Sequence, residues 1–198
     1  MLKITKTMLP LALIISSSAL FSATQSQDSS PGEELARMQA LGEKYGTTNE
    51  NHELLKRLEG DWITVMTIMG MEQEPGTTSN RMILGGRYLE ADYAGNVAGM
   101  PYEGKMTVGF DNYKQKFMAT FIDSLGTAMN RAEGLLDQSG NTITLWGTMD
   151  EWMTGEHDKP VMYKLTYIDD DHYVYEVHDL GIVPGNTLVV HVSNERVK

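Results

Sequence analysis

The sequence has no cysteine. That excludes disulfides, thiolate metal sites, a cysteine nucleophile and lipid attachment through a thiol. The fold must rest on its hydrophobic core alone, which a chain of 198 residues can manage. Basic residues are scarce: 16 Lys and Arg stand against 27 Asp and Glu, for a net charge of −11. Nucleic acids and anionic lipid surfaces both select basic patches, so neither is an expected partner. His52, His157, His172, His178 and His191 lack the close spacing of a metal site, so no metal is assigned. Asp169–Asp170–Asp171 lacks the spacing of a calcium loop and reads as a solvated turn. No serine sits in a nucleophile-elbow pattern and no cofactor motif is present, so no catalytic residue and no cofactor is assigned.

What is there begins with an export signal. Lys3 and Lys6 precede an apolar stretch from Met8 to Ile15, followed by small residues from Ser16 to Ala23. Residues 1–19 therefore read as a signal peptide cleaved after Ala19, with Ala23 a second option weakened by Phe21. The alternative is a membrane anchor, but the apolar run falls short of the ~20 residues that span a bilayer. The mature chain is expected in the periplasm or secreted, and not as an integral membrane protein. Losing Lys3 and Lys6 leaves 14 basic residues against 27 acids, a net −13.

Residues 20–49 read as a polar lead-in with a short helix. Ser30–Pro31–Gly32–Glu33 is a helix start, and Leu35, Met38 and Leu41 recur at helical spacing. Asn49 caps a second short helix over Glu50–Leu58, expected to plug one end of a barrel. From Asp61 the apolar period becomes two, and Gly, Asn, Asp and Pro clusters interrupt it regularly. The connections are too short for parallel crossovers. Residues 50–198 are expected to form an all-β, antiparallel, up-and-down barrel of about ten strands, because closure removes exposed edges.

Several stretches carry a resemblance. Asn51–His52–Glu53, Leu58–Glu59–Gly60–Asp61–Trp62, Leu84–Gly85–Gly86–Arg87–Tyr88–Leu89 and Gly99–Met100–Pro101–Tyr102–Glu103–Gly104 occur in order. Gly109–Phe110–Asp111–Asn112, Ile122–Asp123–Ser124–Leu125–Gly126–Thr127, Thr154–Gly155 and Asp170–Asp171–His172 follow. From about His52 to Arg196 the chain resembles DUF1579, a bacterial family of unknown function. The resemblance implies a lipocalin-like, calycin-type barrel and no particular activity. The chain departs from the family pattern near Val177–His178–Asp179–Leu180. Gly60–Asp61–Trp62 is also similar to the lipocalin G-x-W, in which the Trp packs at the closed end beneath a basic residue of the last strand. Arg196 is placed for that role.

The structural assignments are Gly60 as hinge, Trp62 and Arg196 as closure, and Gly85–Gly86 as a two-residue hairpin turn. The ligand-binding candidates are Arg87, Tyr93, Asp123, Glu176 and His178. Arg87 shares strand phase with Leu89, Ala91 and Tyr93; an inward guanidinium would be either a buried ion pair or an anion-binding group. Asp123 shares phase with Phe121 and Phe117, and Glu176 with His178. Strand methionines such as Met66, Met106 and Met149 suit core packing or an adaptable pocket lining. Ala91, Gly104 and Gly147 are expected to leave room inside. The function expected is binding of a small, largely apolar molecule in the barrel interior. The alternatives are an enzyme using Asp123, Glu176 or His178 in that cavity, or a structural or partner-binding module with a filled interior.

Overall fold

The computed structural model of the chain describes residues 30–151 and 154–198; the expected signal peptide and its cleavage sites lie outside them. Two helices lead in. Helix α1 spans Pro31–Gly46 and begins with a reciprocal box, in which Ser30 N–H donates to Glu33 and Glu33 N–H to the Ser30 hydroxyl. It buries no residue, and Leu35, Met38 and Leu41 stay exposed. Helix α2 spans Glu50–Lys56, capped by Asn49, and ends earlier than its apolar spacing implies. Arg57 and Leu58 continue it only as a tight turn, their amides bonding to the carbonyls of Leu54 and Leu55.

The strands are β1 (Gly60–Ile68), β2 (Met71–Glu72), β3 (Gly76–Ile83), β4 (Tyr88–Val97), β5 (Met100–Asp111) and β6 (Lys116–Asp123). They continue as β7 (Asn130–Leu136), β8 (Thr142–Glu151), β9 (Glu156–Tyr167), β10 (His172–Asp179) and β11 (Thr187–Arg196). All pairings are antiparallel between neighbours in the sheet, and β11 returns to β1. Ten strands thus close into an up-and-down barrel, with the two-residue β2 folded back onto β1 through a Met69–Gly70 turn. That short strand is not apparent in the apolar pattern, because Met71 and Glu72 are both exposed. No helix among the described residues is long and apolar enough to cross a membrane.

Alternation sorts each strand into two faces. The cross-strand partners Leu145, Tyr163 and Val177 face inward, as do Leu89 and Val108, and Ala132 and Gly147. The outer face carries ion pairs, among them Arg81 and Lys105 bridging Glu90 and Asp92. Helix α2 closes one end. Its Leu55 is fully buried, and Leu58 just beyond it is nearly so, against Trp62 and the inward side chains of the strand ends.

Two expectations of local geometry need correction. Gly85–Gly86 is not a two-residue turn. The last pair is Ile83 with Tyr88, so the connection has four residues, Leu84 to Arg87. Leu84, Gly85 and Gly86 all have positive φ, at 50°, 70° and 81°. Gly147 does not create room: a Cβ there would collide with the Arg131 carbonyl oxygen, so the glycine permits close approach of β7 and β8.

Candidate ligand-binding site in the open half of the barrel

The closed end defines the site by contrast. Trp62 is 1% exposed, and its indole N–H donates to the Leu58 carbonyl at 2.9 Å. The Arg196 guanidinium stands 4.1 Å from the indole centroid on the other side. Its three nitrogens donate to the carbonyls of Asp170, Glu59 and Arg57. Gly60 is required here twice over. Its φ is 125°, and a Cβ would lie 2.7 Å from the guanidinium. Tyr173 packs edge-on against Trp62 and accepts from Asn80, while the Tyr167 hydroxyl donates to the Leu54 carbonyl. Buried His52 accepts the Asn49 amide on Nδ1. Burial pushes its pKa down, with Arg87 adding to the shift and a bond to the Phe110 backbone and the Glu53 charge opposing it.

Toward the open end the lining changes character. Tyr93, Tyr102, Tyr163 and Tyr175 come from β4, β5, β9 and β10, all in the inward phase. Tyr163 and Tyr175 lie nearly parallel, with centroids 6.1 Å apart and planes at 16°. Tyr93 and Tyr102 are 5.5 Å apart and tilted. The Tyr102 phenol is coupled electrostatically to Tyr93, and that of Tyr175 to both Tyr163 and Tyr102. The four rings thus stand as two pairs, Tyr93 with Tyr102 and Tyr163 with Tyr175, in the same open half. Among the described residues none of the four hydroxyls has a hydrogen-bond partner, and that of Tyr93 is fully buried beside Gly76 and Gly95.

Loss of solvation raises all four phenols: Tyr163 is pushed up to about 12 and Tyr175 well above its ordinary value. They are neutral donors at any physiological pH. Tyr175 lies deep enough to feel that penalty strongly, yet it is only half-buried by surface. Its inward neighbours Val177, Met106 and Ala119 are half-buried as well. Surface that is open on side chains facing the inside of a barrel is lumen surface.

The rim of the open end is polar. Lys159 is inward-facing and ion-pairs with Asp179 at 2.5 Å, with Glu151, and with Glu156 at 3.1 Å. Its pKa is raised, chiefly by Asp179 and then by Glu151. Burial pushes the Asp179 carboxyl up, but bonds from Lys159 and the amides of Gly181 and Ile182 outweigh it and hold it low. This cluster ties β8, β9 and β10 to the β10–β11 loop. A depression of about 480 Å³ lies mainly on the outer face of β4–β6, among Asp92, Ala94, Glu103, Lys105 and Ile122, and reaches the rim at Asp123 and Ser124. A smaller depression, about 280 Å³, lies on the outside of the wall between Tyr88, Met118 and Trp146 and does not communicate with the lumen lining.

The five candidates from the sequence are scattered by the fold. Tyr93 is in the lumen. Asp123 reaches the mouth, but its carboxylate accepts the amides of Leu125 and Gly126 and so caps its own turn. Arg87 is exposed at the closed end, where it donates to the carbonyls of Gly46 and Leu84; strand phase is lost because the β3–β4 connection includes it. Glu176 and His178 stand on the outer face, Glu176 lying 3.9 Å from Lys164 and 3.5 Å from His178. That face is outward because Tyr175 and Val177 occupy the inner one. The His178 ring is buried and neither nitrogen makes a hydrogen bond, the Glu176 contact being too long. Sequence reasoning missed Tyr102, Tyr163 and Tyr175. The available signal was tyrosine at alternate positions with apolar residues, in Val161–Tyr163–Leu165–Tyr167 and Tyr173–Tyr175–Val177.

A family model described as "Protein of unknown function (DUF1579)" matches residues 47–186. Among solved structures, the S-type phycobiliprotein lyase from Guillardia theta aligns with a TM-score of 0.48 at 9% identity, covering 75% of this chain and 93% of that one. A de novo designed fluorescence-activating β-barrel aligns at 0.42 and 12% identity, covering 72% of this chain and 96% of its own. No match was found among curated proteins.

Proposed function

The chain belongs to the DUF1579 family of proteins of unknown function, and we propose that it is an exported barrel that binds a small, largely apolar molecule in the open half of its lumen. One observation carries the binding reading. The inward face of the open half keeps accessible surface on Tyr175, Val177 and Met106, where a filled barrel would have buried them. Ten strands enclose more space than the eight that side chains can just fill, and the lining is apolar and aromatic with few charges. The geometry favours binding over acid–base catalysis: Glu176 and His178 stand outside the wall, and Asp123 is engaged by its own turn. Export is supported by the Lys3/Lys6, apolar and small-residue order of the first residues.

Native mass spectrometry of protein purified from the cells that make it tests the binding reading. The expected result is a retained small molecule that leaves on denaturation. A homogeneous apo mass, together with no uptake of any apolar probe, overturns it. N-terminal sequencing tests export, with a mature start at Leu20 or Thr24 expected; an intact Met1 on all material overturns it.

A further inference from the structure

The lumen has donors without acceptors. Native proteins bond nearly all their buried polar groups; the Tyr93 hydroxyl is buried without a partner, and those of Tyr102, Tyr163 and Tyr175 make no hydrogen bond among the described residues and keep accessible surface in the lumen. At the closed end of the same barrel, Tyr167, Tyr173 and Trp62 all have partners. Tyr102 and Tyr163 are 9% and 8% exposed, so most of each ring is buried in the wall. An occupant that offers oxygen or nitrogen lone pairs can meet these donors at more than one point.

Charge narrows the class. Among the described residues, Lys159 is the cation that faces the open half, and three carboxylates already surround it. Asp123 adds a further negative group at the mouth, and Arg87, Arg81 and Lys105 are turned away. A carboxylate or phosphate head group would enter against a local excess of negative charge and meet no free counter-ion. The nearly parallel faces of Tyr163 and Tyr175 suit a flat ring system lying along them.

Resting on the lumen-binding reading, we infer that the ligand is a neutral, planar conjugated carbonyl compound of the quinone class, its oxygens hydrogen-bonded by Tyr163 and Tyr175. The phenols act as fixed donors, and Met66, Met106 and Val177 supply the apolar contact around the ring. Catalysis is not part of the assignment.

Titration calorimetry of the purified barrel with four probes tests it: 2-methyl-1,4-naphthoquinone, its carbonyl-free analogue 2-methylnaphthalene, decanoate, and benzyltrimethylammonium. The absence of cysteine removes thiol addition to the quinone as a complication. The quinone should bind more tightly than 2-methylnaphthalene by at least about fivefold, as one or two neutral hydrogen bonds provide. The double variant Tyr163→Phe/Tyr175→Phe should erase that difference while leaving 2-methylnaphthalene affinity unchanged. Because the two hydroxyls make no hydrogen bond among the described residues, the variant should fold normally, which its thermal transition checks. Equal affinity for quinone and hydrocarbon, or a preference that survives both Phe changes, overturns the ligand class but leaves lumen binding intact. Tighter binding of decanoate or of the ammonium probe overturns it likewise. If no probe binds, 2-methylnaphthalene included, the lumen-binding reading falls with it.

Discussion

The two ends of this barrel are built from similar side chains used in opposite ways. At the α2 end, tyrosine, tryptophan and arginine are locked: Trp62 to Leu58, Tyr167 to Leu54, and Arg196 to three carbonyls and an indole face. At the open end, the hydroxyls of four tyrosines make no hydrogen bond among the described residues. The first arrangement yields stability, since each buried polar group has its partner. The second adds little to stability and leaves directed donors for something else to meet. Among the described residues the closed end has one buried lapse, the side-chain oxygen of Asn80, and the lumen tyrosines have one, the Tyr93 hydroxyl; the other three phenols are unbonded but not sealed off.

The sharpest break in that contrast is Trp62→Ala. It empties the largest fully buried side chain, at the closed end, and should cost roughly 3–5 kcal/mol. Chemical denaturation measures it; a loss below about 1 kcal/mol would mean that the closed end is not where stability resides. Next come paired tyrosine truncations. Tyr167→Phe strands the Leu54 carbonyl and should cost about 1–3 kcal/mol, whereas Tyr163→Phe removes a hydroxyl with no hydrogen bond among the described residues and should stay within about 0.5 kcal/mol. Equal costs at the two sites would erase the distinction between the ends.

Alkaline pH probes the open end. Unfolded tyrosine ionises near about pH 10, while Tyr163 in the folded chain holds its proton up to about 12. The unfolded state therefore sheds protons first, so stability should fall as pH rises past ~10. Phenolate absorbance should show the lumen tyrosines ionising late, or only together with unfolding. The smallest effect lies at the acid side of the closed end. The pKa of His52 is depressed by burial, so the unfolded chain binds the proton more readily. Stability should begin to fall as pH drops through ~6.5. His52→Gln should flatten that slope, read from denaturation midpoints between pH 7 and 5, whatever its offset in absolute stability.

Much of the architecture was legible because it is local. The change from helical spacing before Leu58 to alternation after Asp61 marks the helix-to-barrel switch, and the turn residues mark most strand ends. The site was less legible, and Arg87 shows why. Strand phase predicts an inward side chain only while the strand lasts, and the four-residue β3–β4 connection takes Arg87 out of it. Glu176 and His178 fail differently: they share a face, but which face looks inward depends on the neighbouring strands, and Tyr175 and Val177 occupy the inner one. Gly147 was misread because a small residue can mark open space or a close backbone approach, and alternation does not distinguish them.

The sequence by itself determined the strand series, the antiparallel order and the G-x-W anchor, since alternation, turn chemistry and short connections each act within a few residues. The G-x-W resemblance anticipated Arg196 over Trp62, and closure of the barrel brings the two together although they are 134 positions apart. Tertiary structure alone decided which tyrosines are partnered and which are not. Closure brings β1 against β11, and the curvature of the wall sets what each inward side chain can reach. A phenol finds a carbonyl where α2 plugs the barrel and only lumen where nothing does. Hydrogen bonding is a property of neighbours, and these neighbours lie far apart along the chain.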